Sequence, residues 1–94
     1  MKQSNVTSER LAKYFDYTKR ALAEAKNAVH SARRKEADEI LDMASRYYSD
    51  AEHFASKGDV VTAFAALNYA HGWLDCGARI GIFLVKNNEL FVVD

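Results

Sequence analysis

The sequence predicts an all-α fold: an antiparallel three-helix bundle with a short extended or hairpin C-terminal tail, forming one domain over residues 1–94. Three observations carry that prediction. The chain has no proline, so no ring or missing N–H interrupts a helix. Apolar residues recur at alternating spacings of three and four along three successive stretches, which puts one buried face on each of three helices. Between the second and third stretches stands Lys57-Gly58-Asp59, a helix stop followed at once by a helix start.

The first helix is expected over 7–31. Thr7 or Ser8 offers a side-chain oxygen to the unpaired N–H groups of the first turn, and Glu9 sits where the helix dipole favours negative charge. Leu11, Phe15, Thr18, Leu22, Ala25 and Val29 form the stripe, with Lys13, Asp16, Lys19 and Arg20 off it. No glycine or proline marks its end. The break rests on Arg33-Arg34-Lys35 giving way to Glu36, Asp38 and Glu39, a change of sign that suits one helix closing and another opening. His30, near that closing end, is expected to meet the last carbonyls.

The second helix, expected over 36–57, repeats the stripe with Ala37, Leu41, Ala44, Tyr48 and Ala51. Gly58 can take the left-handed conformation that closes it, and Asp59 caps the next helix. The third helix is expected over 60–83, with the tail at 84–94. Val60, Ala63, Leu67, Ala70 and Leu74 share one face at 100° per residue. The opposite face holds Ala65, Tyr69, Trp73, Cys76, Ile80 and Phe83 where charge would be expected. A helix apolar on both sides needs cover on both.

Two covers are available. The tail reads as two β-prone runs around Asn87-Asn88, which would have to lie against the helices. Alternatively Tyr69, Trp73, Ile80 and Phe83 form an interaction surface for a homodimer or a protein partner.

Net charge is zero. Residues 1–35 carry nine Lys/Arg against three acids, and 36–59 carry two against seven. Opposite signs on the first two helices favour their pairing, and they argue against nucleic acid, because the acidic helix cancels the basic one's field. The single cysteine, Cys76, has no internal disulfide partner, which suits a reducing compartment. No apolar leader follows Met1, and Asp75 and Arg79 interrupt the richest apolar run. A cytoplasmic protein without a membrane segment is expected.

Asn68, His71, Asp75 and Arg79 form a polar cluster at spacings of three and four on the third helix. It could orient a histidine as a base, but no nucleophile, glycine-rich loop or second acid accompanies it. The plainer reading is a strip that satisfies itself and a tyrosine, Tyr47 or Tyr48. Asp50 and His53 are three apart and His71 and Asp75 four apart, but the carboxylates and paired Glu-x-x-His motifs of a bundle metal site are missing and Cys76 has no Cys or His at ligand spacing, so no metal and no cofactor is expected. The leading expectation is a non-enzymatic helical module for protein interaction or self-association.

Residues 44–83 resemble an archaeal family of proteins of unknown function, number 357. The likeness is densest at Lys57-Gly58-Asp59, from Ala63 to Asp75, and from Gly77 to Gly81. The resemblance implies a bundle of the immunoglobulin- and albumin-binding-domain-like type in an archaeal cytosolic protein, with no activity attached. Cys76 stands where that family more usually has alanine, which speaks against a role for the thiol. A looser similarity is to HEPN-type helical domains, some of which are ribonucleases using an Arg and a His a few residues apart. Arg46 and His53 have that spacing and form the alternative nuclease pair.

Overall fold

Three α-helices account for most of the chain in a computed structural model that describes residues 7–92: α1 (Ser8–Lys26), α2 (Arg34–Ser56) and α3 (Val60–Arg79). A single 3-10 turn, Ser31–Arg33, leads into α2. The described residues contain no strand. The helices lie against one another, α2 against α3 most extensively.

Local chemistry explains the starts. Thr7 Oγ1 accepts the Arg10 N–H at 3.0 Å, and Asp59 Oδ1 accepts the Thr62 N–H at 3.1 Å. Each satisfies a donor that helix geometry leaves unpaired. The Thr62 side chain, and after it the Thr62 N–H, hold the Asp59 carboxyl below the usual carboxylate range. Backbone hydrogen bonding at its own position, aided by Arg33, does the same for Glu36 in the first turn of α2.

Two glycines close helices in the same way. Gly58 and Gly81 both have φ of 79°. The Asp59 N–H returns to the Phe54 carbonyl at 2.9 Å, and the Ile82 N–H to the Gly77 carbonyl at 2.8 Å. These are six-to-one closures, which need a left-handed residue inside them. The third helix therefore stops at Arg79 instead of continuing to 83, because Gly81 turns the chain inward.

That turn explains the end of α1 as well. The stripe continues to Val29 and Ala32, yet α1 stops at Lys26. Val29 instead forms an isolated antiparallel bridge with Phe83. The His30 N–H donates to the Ile82 carbonyl at 2.8 Å, and the Leu84 N–H donates to the Ala28 carbonyl at 2.6 Å. His30 thus lies before a helix, not after one, and its Nδ1 accepts the Ala32 N–H at 3.1 Å. It does not cap the carbonyls of α1.

Alanine makes the close packing possible. Ala21, Ala25, Ala37, Ala44, Ala51, Ala63 and Ala70 are wholly buried, and small side chains bring helix axes toward the near end of the usual 8–10 Å. Two buried clusters result. One gathers Leu22, Ile40, Leu41, Leu74 and Phe83 with Leu90 and Phe91 of the tail. The other joins Leu11, Ala63, Ala66 and Leu67, and Tyr48 touches both. Burial pushes the Tyr48 phenol up from its ordinary value, and the charges of Glu52 and Asp16 add to the shift.

Among the described residues the tail forms a turn and no hairpin strands. Asn87 Oδ1 accepts the Glu89 N–H at 2.9 Å, and the Asn87 carbonyl accepts from Leu90 and Phe91 at 3.2 and 3.0 Å. This Asx-type turn drops Leu90 and Phe91 into the core, at 2% and 3% exposure. The ion pairs Arg20–Asp16, Arg33–Glu36, Arg34–Asp38 and Arg46–Asp42 each join residues three or four apart. None of these crosses from α1 to α2.

Candidate functional site

The polar strip on α3 clamps the tail. His71 lies between α1 and the tail, with Nε2 on the Leu90 carbonyl and Nδ1 at 3.4 Å from the Thr18 hydroxyl. A neutral ring with its proton on Nε2 serves both, donating to Leu90 and accepting from Thr18. Asp75 Oδ1 accepts the Val92 N–H at 3.1 Å, and Asn87 Nδ2 donates to Glu24 Oε2 at 3.0 Å. The partners of the strip are thus Thr18 and the tail, not Tyr47 or Tyr48. Asn68 lies exposed and lines the same cleft, while Arg79 is exposed at the end of α3. Beside the clamp is a cleft of about 330 Å³, lined among others by Tyr14, Tyr17, His71, Asp75 and Val92. A second cleft of about 190 Å³ lies between α2 and α3, lined by Tyr47, Asp50, Phe54, Thr62, Ala65, Ala66 and Tyr69.

Thr18 is only 1% exposed, and a buried hydroxyl on an apolar stripe requires a partner. That need was readable in the sequence; the identity of His71 as the partner, 53 positions away, was not.

The apolar rear of α3 divides. The tail contacts His71 and Asp75, on the edge of the helix turned away from Trp73 at 100° per residue. It therefore leaves the aromatic strip uncovered. Tyr69 is 63% exposed, Trp73 38% and Ile80 54%. Tyr69 leans one ring face on Tyr47, with centroids 5.2 Å apart and planes 20° from parallel. Phe83 is not part of this surface. At 1% exposure it is a core residue, because Gly81 ends the helix before it.

Two glycines on α3 contrast sharply. A β-carbon at Gly77 would lie 2.4 Å from the Phe83 ring, so the core requires glycine there. A β-carbon at Gly72 would meet nothing within 4 Å. Glycine in mid-helix costs about 1 kcal/mol relative to alanine, and at Gly72 no internal contact offsets that cost. An isolated glycine inside a helical pattern is a visible signal, and Gly72 lines the cleft beside the clamp together with Asn68, His71 and Asp75.

Arg46 and His53 share one face of α2, two turns apart and so roughly 10 Å along the axis. Both are exposed. Arg46 Nε is held by Asp42 at 2.9 Å, and the His53 ring sits edge-on to Phe54. Neither lines either cleft. Among the described residues no three His, Cys, Asp or Glu side chains converge as a metal-ligand set. Cys76 is an exposed free thiol. No helix among the described residues is long and apolar enough to cross a membrane.

Comparison with curated proteins and with solved structures finds no match. A family model described as a protein of unknown function, DUF357, matches residues 13–83, from the second turn of α1 through the bridge residue Phe83. The match takes in α1 as well as the two helices on which the resemblance was densest, and the chain belongs to the DUF357 family.

Proposed function

We propose that the chain is a non-enzymatic helical interaction module that associates through α3, with itself or with a protein partner. The observation that carries this reading is the uncovered strip of Tyr69, Trp73 and Ile80. An aromatic and aliphatic patch that remains open after the chain's own tail has docked is what a binding surface requires. With it goes the finer reading of the fold as an antiparallel bundle of the immunoglobulin- and albumin-binding-domain-like type, in a cytosolic archaeal protein.

Sedimentation over a dilution series tests the proposal, with a Tyr69→Glu/Ile80→Glu variant beside the wild type. The expected result is reversible association of the wild type, lost in the variant while helix content is kept and Tm falls only by what the Tyr69–Tyr47 ring contact contributes. A wild type that stays monomeric at every concentration overturns self-association. A nuclease-like domain using Arg46 and His53 is less well supported, since Arg46 is engaged by Asp42 and the pair stands outside both clefts.

A further inference from the structure

Gly72 stands in the middle of α3 and lines the cleft beside the tail clamp. A β-carbon there would meet nothing within 4 Å, so a larger side chain would extend into that open space. Glycine weakens the helix and answers no internal contact. What it keeps is room in the cleft.

The walls of that room have one chemical character. Tyr14 and Tyr17 form a corner, their ring centroids 5.8 Å apart and their planes 81° from parallel, and Phe91 lines the cleft as well. Among the described lining residues the charged ones are Asp75 of α3 and Glu89 of the tail, both acidic, and none is Lys or Arg. Asp75 is half-buried, and the Val92 N–H holds its carboxylate in place. An anion in the cleft would meet two like charges. A cation would meet two opposite ones, screened less than in open water, together with the electron-rich faces of the tyrosines. Those rings already draw cations of the chain itself. The Arg10 guanidinium carbon lies 5.5 Å from the Tyr14 centroid and the Lys13 ammonium 5.7 Å from that of Tyr17, though neither residue lines the cleft.

Size narrows the class further. A volume of about 330 Å³ is at the lower end for small-molecule sites, enough for one ring and a short chain. Aromatic walls at right angles suit a ring packed edge to face. His71 has both ring nitrogens engaged, by Leu90 and Thr18, so the site offers binding groups and no free base.

We infer that the cleft between α1, α3 and the tail binds a small arylalkylamine in its ammonium form. The charge is drawn to Asp75 and Glu89, and the ring enters the corner of Tyr14 and Tyr17. The site lies on the edge of α3 turned away from Trp73, so it is independent of the association surface.

Magnetic resonance titration of the isotope-labelled chain tests this with three probes of similar shape: phenethylamine, the neutral phenethyl alcohol and the anionic hydrocinnamate. Phenethylamine is expected to move the amide signals of Asn68 to Asp75 and Asn88 to Val92. Phenethyl alcohol should bind about tenfold more weakly, and hydrocinnamate more weakly still. Gly72→Leu fills the cleft and should lose phenethylamine while its Tm holds or rises, since leucine suits a helix better than glycine. Asp75→Asn/Glu89→Gln keeps an acceptor for the Val92 N–H and should bind the amine and the alcohol alike. The inference is overturned by a wild type that ignores phenethylamine at millimolar concentration, binds all three probes equally, or responds at other residues. A folded Gly72→Leu variant that binds like the wild type overturns it too.

Discussion

Single residues in this chain hold the helix starts in place through charge and hydrogen bonding. Asp59 is the clearest case, because its carboxylate accepts the Thr62 N–H and its pKa lies below the ordinary value. A carboxyl depressed in the folded state contributes stability above its unfolded pKa and loses it as pH falls through the folded one. Glu36 shifts in the same direction, through its own backbone hydrogen bonding and Arg33. The chain is therefore expected to lose Tm as pH falls from neutrality through the carboxylate range. Asp59→Asn keeps an acceptor at the cap but has no charge to titrate. Its Tm should fall less between neutral and acid pH than that of the wild type, by thermal scans at each pH. An equal fall in both proteins would remove Asp59 from the acid response.

At the scale of the element, what was legible depended on how local the signal was. The reversal between α2 and α3 needs only Gly58 and Asp59, adjacent in sequence, and was readable there. The end of α1 depends on Val29 meeting Phe83, a pairing across most of the chain that no window of local pattern contains. The end of α3 had its local signal in Gly81, but Ile82 and Phe83 continue the apolar run, and burial by a turning chain looks like burial by a continuing helix. The apolar rear of α3 was legible as a surface needing cover; which part the tail covers was not, because the clamp joins His71 and Asp75 to backbone atoms of Leu90 and Val92. Since Gly81 adopts φ of 79°, Gly81→Ala is expected to destabilise by about 1 kcal/mol in chemical denaturation. An unchanged midpoint would show that the end of α3 does not need the left-handed turn.

The molecule as a whole is elongated, 48 × 25 × 17 Å, and its two buried clusters divide that length. The tail serves only one of them, through Leu90 and Phe91. Phe91→Ala should cost about 3 kcal/mol, as expected for a phenylalanine removed from a packed interior. Hydrogen exchange should then quicken first around Ile40, Leu41 and Leu74, while Leu11, Ala63 and Leu67 hold longer. Uniform quickening over both clusters would mean that the molecule opens as a single unit. The strip on α3 runs outside this division and is accessible from solvent in either case.

The docking of Leu90 and Phe91 bears on how the protein is made. Leu90 and Phe91 follow α3 in the chain, so a molecule that folds from its N-terminal side forms its helices before it seats these two side chains, and until then it has an open, greasy socket beside His71. Completion waits for the strap, and until it arrives the nascent domain exposes a second sticky site that the finished protein does not have.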